Sequence, residues 1–243
     1  ATLPPRVASD SDPWTKGHPR MAELTLDDLV ANRTLSAGMA ALLAAATAER
    51  HSILNVAIPR MAGKSTLMDA VLAERPPEVP IYALGRRHGA SLGIPESGAT
   101  GGYLSFSEIA SHSVTDAYLW GADVRQIFQN ALDSGHAIAT ALHADGVESA
   151  FGVIAENEVT DEQAAQIKLV VYIRSLGEWS EPDRRAVAVL AEIDGIEDGR
   201  PAHRVIHRWD EATDTFEQVA EPTLVTPEAL APYLERFGAA SED

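Results

Sequence analysis

The stretch ILNVAIPRMAGKSTLMDAVL, residues 53–72, constrains this chain more than any other. A short apolar run (Ile53, Leu54, Val56, Ala57, Ile58) breaks at Pro59, passes through Ala62-Gly63, and resumes over 64–72 with apolar residues at helical spacing. This change of period predicts a buried strand, a tight loop and a helix. In that arrangement the backbone N–H groups of the loop and the N-terminus of the helix point at one spot, which favours an anion.

The loop also carries the second half of the phosphate-loop pattern G-x-x-x-x-G-K-[ST]: Gly63-Lys64-Ser65-Thr66 is intact, while Ile58 stands where the first glycine belongs. Lys64 would add a mobile positive charge for the β- and γ-phosphates, and the Ser65 hydroxyl is placed to ligate Mg²⁺. The candidate nucleotide-binding segment is therefore Pro59, Arg60, Met61, Ala62, Gly63, Lys64, Ser65 and Thr66. A helix start with an ordinary exposed lysine can carry the same tetrapeptide. Its place after a buried-strand pattern and before an amphipathic helix favours the phosphate loop.

With 243 residues and 45% hydrophobic content, the chain can bury the core of one large domain. No apolar run approaches the ~20 residues that a membrane helix needs, and the first residues lack a basic-then-apolar signal pattern, so the expected location is cytoplasmic. The absence of cysteine excludes disulfides and thiolate metal sites. Nineteen basic against 36 acidic side chains leave a net charge of −17, which argues against a general nucleic-acid or anionic-membrane surface.

Residues 1–22, rich in Pro, Ser, Asp and Gly, read as an extended arm. Thr25, with Asp28 three residues on, caps a short helix ending at Ala31; Ser36 caps another, on which Met39, Leu42, Leu43 and Ala46 share a face. Residues 79–84 predict a second buried strand, 85–102 a long loop with Arg86, Arg87 and His88, and 103–107 a third strand running into Glu108. A helix is expected over 114–132 with Ala117, Trp120, Val124, Ile127, Phe128 and Ala131 as its apolar stripe. A fourth strand, 137–142, ends directly before His143. Helices follow at 147–156 and after Thr160, then a strand at 169–173. Beyond it, 185–193, 203–209 and 215–219 look like a β-meander, with turn chemistry at Asp194-Gly195 and Asp198-Gly199, and a terminal helix runs from Thr226-Pro227 to Phe237. Trp209 and Trp179 read as core or turn packing.

Strand–helix alternation over 53–173 implies an α/β domain with a mainly parallel sheet, helices on both faces, and a C-terminal antiparallel meander. Ligands in such sheets sit at the carboxyl ends of the strands. The Lys64 loop, Glu108 and His143 all follow predicted strand ends, so they are expected to form one site.

Residues 24–72 (LTLDDLVANRTLS before the strand, AGKSTLMDAVL after it) and 107–145 (SEIASHSVTDAYLWGADVRQIFQNALDSGHAIATALHAD) resemble the ATPases of type II and type IV secretion, type IV pili and Tad-type pili. Glu108 matches that family's Walker B glutamate and His143 its His-box histidine. LVVYIRSL, AVAVLAEIDGI and RVIHRWDEATDTF fit the family's closing strands, so the likeness spans about residues 24–220.

The resemblance implies a RecA-like P-loop NTPase core over 23–222, a C-terminal helix and tail over 223–243, and a hexameric ring, or a hetero-oligomer with a related ATPase. Such a ring would use ATP and Mg²⁺ to drive pilin polymerisation or protein export, docked on secretion or pilus platform proteins at the inner face of a membrane. Lys64 would hold phosphates, Ser65 the Mg²⁺, Glu108 would polarise water or support the metal, and His143 would sense the γ-phosphate.

The chain also departs from the family. Ile58 and Met61 replace loop glycines and put Cβ atoms where backbone should approach phosphate and where a positive φ is wanted. The acidic box expected after the second strand is replaced by Ala83-Leu84-Gly85-Arg86-Arg87-His88, and the arginine that follows the Walker B glutamate is Ala110. The family's N-terminal domain does not fit ahead of residue 24. A non-catalytic partner of a true motor is therefore the alternative expectation. Arg86 and Arg87 read as loop charges or as a phosphate sensor across a subunit interface.

Overall fold

A computed structural model describes residues 24–58, 61–96, 99, 101–112, 114–178 and 181–239. The expected N-terminal arm, Pro59, Arg60 and Trp179 lie outside them. The chain is mixed α/β. Its elements are α1 (Leu26–Ala31), α2 (Ala37–Ala48), β1 (Ser52–Val56), α3 (Lys64–Leu72), β2 (Ile81–Ala83), β3 (Tyr103–Ser105), β4 (Glu108–Ile109) and β5 (Tyr118–Leu119). There follow α4 (Ala122–Ser134), β6 (Ala137–Leu142), α5 (Val147–Glu156), α6 (Asp161–Ala164), β7 (Ile167–Glu178), β8 (Glu181–Glu197), β9 (Arg200–Asp210), β10 (Thr215–Gln218) and α7 (Pro227–Ala239).

One sheet runs β10-β9-β8-β7-β1-β6-β3-β2, with β4 pairing β6 and β5 beside that path. The strands from β7 to β2 are parallel to their neighbours, and β7 to β10 form an antiparallel meander. Side-chain alternation along β1 shows how the sheet divides two cores. Ile53 and Ala57 join α1, α2, α3 and α7 on one face, and Leu54 and Val56 join α4, α5 and α6 on the other. Both faces of β1 are covered, so all five of its residues are buried.

Several elements differ from the sequence reading for identifiable reasons. The predicted helix over 114–132 starts only at Ala122, after Gly121 at φ 63°. Ahead of it Tyr118–Leu119 is a strand against Glu108–Ile109, so Ala117 and Trp120 leave the helical stripe. The third strand stops at Ser105, and Glu108 opens a separate strand because Ser107 and Glu108 both turn their N–H groups to the Ala117 carbonyl. The second strand is shorter than predicted, Ile81–Ala83. Asp194-Gly195 is no turn: β8 continues through it with a register shift, and the hairpin closes at Asp198 (φ 51°) and Gly199 (φ 72°), the left-handed pair that a tight β-hairpin requires. Helix α2 is buried on every side from Met39 to Thr47, because α7 covers the face that the sheet does not. The caps at Thr25, Ser36 and Thr160 form as read, with Asp28 and Gln163 closing reciprocal boxes. Among the described residues no helix is long and apolar enough to cross a membrane.

Candidate functional site

The carboxyl ends of β1 and β6 lie side by side, with Val56 opposite Leu142, and Leu142 also pairs Ile109 of β4. This register brings the Lys64 loop, Glu108 and His143 together. Lys64 Nζ lies 3.5 Å from Glu108 Oε2 and 3.4 Å from each ring nitrogen of His143. His143 Nε2 lies 3.2 Å from Glu108 Oε1. Glu108 and Lys64 are buried, at 4% and 8% exposure, and His143 forms the open rim.

Residues 61–63 lead into α3 through a left-handed turn. Gly63 caps α3 at φ 98° and has no side chain to bond the first turn. Met61 takes φ 61° despite its Cβ, a left-handed conformation that costs a non-glycine residue about 1–2 kcal/mol. Ile58 avoids crowding the loop by turning outward, 57% exposed. Ala62 is buried, Ser65 is exposed on the first turn, and Thr66 is half-buried.

Electrostatics and hydrogen bonding fix the charges. Burial alone would raise the Glu108 carboxyl, but the His143 contact and the Lys64 ammonium outweigh it and hold the group below its usual range. His143 is raised, chiefly by Glu108, against burial and the Lys64 charge. Its Nδ1 donates to the Ala57 and Ile58 carbonyls at 3.0 and 2.8 Å while Nε2 faces the carboxylate, which favours the protonated ring. The Nε2 approach is an ion-pair contact rather than an aligned hydrogen bond, and the buried Glu108 Oε1 still lacks an aligned donor among the described residues.

Two contributors escaped the sequence reading. Asn55, buried on β1, donates from Nδ2 to the Lys64 carbonyl at 2.9 Å and pins the start of α3 to the strand. A polar residue inside an apolar strand was its only signal. Arg185 of β8 donates from Nε to the Met61 carbonyl at 3.2 Å, and nothing local to the loop announced it.

Arg86 and Arg87, on a 3₁₀ turn, pair with Asp123 and Asp116 at 2.7 and 2.9 Å. They fasten the loop to the first turn of α4 and to the segment before it, as loop charges do. Trp209 is core packing: its Nε1 donates to Asp214 and Arg184 covers its ring. A shallow depression of about 230 Å³ at the amino ends of β1, β6 and β7, by Arg50, His51, His136 and Lys168, holds none of these groups; Arg50 and His51 follow the end of α2, and Lys168 donates to the Ala165 carbonyl at the end of α6.

The chain matches no protein-family model, and no curated protein matches it at a significant level.

Proposed function

We propose that this chain binds ATP with Mg²⁺ through a RecA-like P-loop core and serves as a motor subunit of the secretion and type IV pilus ATPase kind. The observation that carries the reading is the convergence of Lys64, Glu108 and His143 beside a loop whose Gly63 sits at φ 98°. Loop N–H groups and Lys64 hold the phosphates and neutralise their charge. The Ser65 hydroxyl and Glu108 are the groups that would support Mg²⁺, which supplies further neutralisation of the triphosphate. The buried acceptor at Glu108 Oε1 fits a metal-bound or attacking water. Among the described residues no three His, Cys, Asp or Glu side chains gather to hold a metal ion by themselves, so phosphate oxygens would complete its shell. His143, on the rim beside Glu108, would face the terminal phosphate.

A second reading, a non-catalytic partner of a true motor, is favoured by the Lys64–Glu108 pair, in which each group neutralises the other, and by Arg86 and Arg87 where the family carries acids. Variants separate the two. Lys64→Ala is expected to abolish binding of a fluorescent ATP analogue, and Glu108→Gln to preserve binding while ending phosphate release. Wild-type binding without phosphate release selects the second reading. Equal affinity in wild type and Lys64→Ala removes the phosphate-site assignment and with it the motor reading.

A further inference from the structure

Arg185 lies 124 positions after Met61, yet its Nε donates to the Met61 carbonyl. Its Cδ is 3.4 Å from where a Cβ on Gly63 would stand, so the side chain lies along the Met61–Gly63 turn. Its base is fixed. The neighbouring Arg184 donates to the Arg33 carbonyl at 2.7 Å, to Asp214 Oδ1 at 3.0 Å and to the Arg185 carbonyl at 2.6 Å, and Val187 N–H reaches the Thr34 carbonyl at 2.7 Å. The start of β8 is thereby fastened to the α1–α2 connection and to the β9–β10 hairpin, and Arg185 projects from that platform onto the loop.

The loop needs such a brace. It holds Met61 in a left-handed conformation that glycine adopts freely and methionine does not. A bond to the Met61 carbonyl fixes the peptide that leads into the Gly63 turn. A guanidinium carries five N–H donors in a planar fork, so one fastened through Nε still has two amino groups to offer a phosphate oxygen.

We propose that Arg185 is a positioning residue for bound triphosphate: it holds the Met61–Gly63 turn in shape where glycines are missing, and adds a second cation beside Lys64. The proposal rests on the nucleotide reading of the same loop, and two readouts keep the failures apart. The first is amide hydrogen exchange over residues 61–66 in the ligand-free full chain. The second is the affinity for a fluorescent Mg·ATP analogue.

In Arg185→Ala, exchange over 61–66 is expected to rise about tenfold while β1 and β6 amides keep wild-type protection, and affinity to fall by about tenfold, the order expected for one charged hydrogen bond. Arg185→Lys, which keeps the charge and loses the fork, is expected to regain part of the affinity but not the exchange protection; it also serves as the informative variant should Arg185→Ala unfold. Wild-type exchange and affinity in both variants, with Lys64-dependent binding intact, would overturn the role of Arg185 and leave the nucleotide reading standing. No binding by wild type would overturn the nucleotide reading and the phosphate half of this proposal together.

Discussion

Nδ1 of His143 donates to two backbone carbonyls, and a proton on Nε2 sets its charge against the Glu108 carboxylate. With its pKa raised above the ordinary 6.5, its share of stability is fully present below 6.5 and is lost as pH rises through the folded value. Glu108 behaves oppositely: its share is present above 4.5 and is lost as pH falls through its lowered value. The cluster therefore contributes most between those two pH values. A proton on His143 also favours an anion, so Mg·ATP affinity is expected to fall as pH rises through the raised His143 value, and His143→Gln to flatten that slope. A slope unchanged in His143→Gln would contradict the imidazolium. His207, buried against Gly38 and lowered to about 4 by burial, gives a separate acid response. Its folded pKa lies below the unfolded 6.5, so stability is lost as pH falls from 6.5 towards 4, by about 3 kcal/mol at most. Thermal unfolding of His207→Leu against wild type over that range should show the smaller loss in the variant. His143 was legible because it directly follows a strand, and Glu108 because the sequence places it just past a predicted strand, although in the fold it opens β4 instead of ending β3. Arg185 was not, because only the meander's return brings it to the loop.

At the scale of elements, the loop and the terminal helix carry the sharpest expectations. Gly63→Ala puts a Cβ on a residue at φ 98° and 3.4 Å from the Arg185 side chain. It should cost about 1–2 kcal/mol in thermal unfolding and abolish nucleotide binding. Helix α7 seals α2 through the fully buried Phe237, while Arg236 bridges Glu74 and Asp27 across α3 and α1. Phe237→Ala is expected to destabilise by about 3–5 kcal/mol in denaturant unfolding. A cost under ~1 kcal/mol would mean that α7 does not seal this core. The strand–loop–helix of β1 and α3 was readable because hydrophobic period changes sharply within it. The β4–β5 pairing was hidden because two-residue strands leave no period, and Ala117 and Trp120, which flank Tyr118-Leu119, continue a helical stripe by coincidence. The wrap of α2 was hidden because it depends on α7, distant in sequence, and an alanine-rich helix has no polar face to mark its exposure.

For the molecule as a whole, the parallel half of the sheet presents the site and the meander braces it, so the antiparallel extension is part of the nucleotide-binding unit under this account. The alternation of strands and helices foretold that layered plan, and the switch to period two after residue 173 foretold the meander. The net charge of −17 opposes a nucleic-acid role. Assembly is an expectation of the motor reading: light scattering with Mg·ATP should report a ring-sized particle, and a monomer at every concentration would favour the non-catalytic partner. The most direct measurement titrates wild type and Lys64→Ala with a fluorescent Mg·ATP analogue and follows phosphate release on the same samples. Saturable wild-type binding that Lys64→Ala lacks is the predicted result. Equal binding by the two, or none by either, would contradict the assignment of the 58–66 loop as a phosphate site.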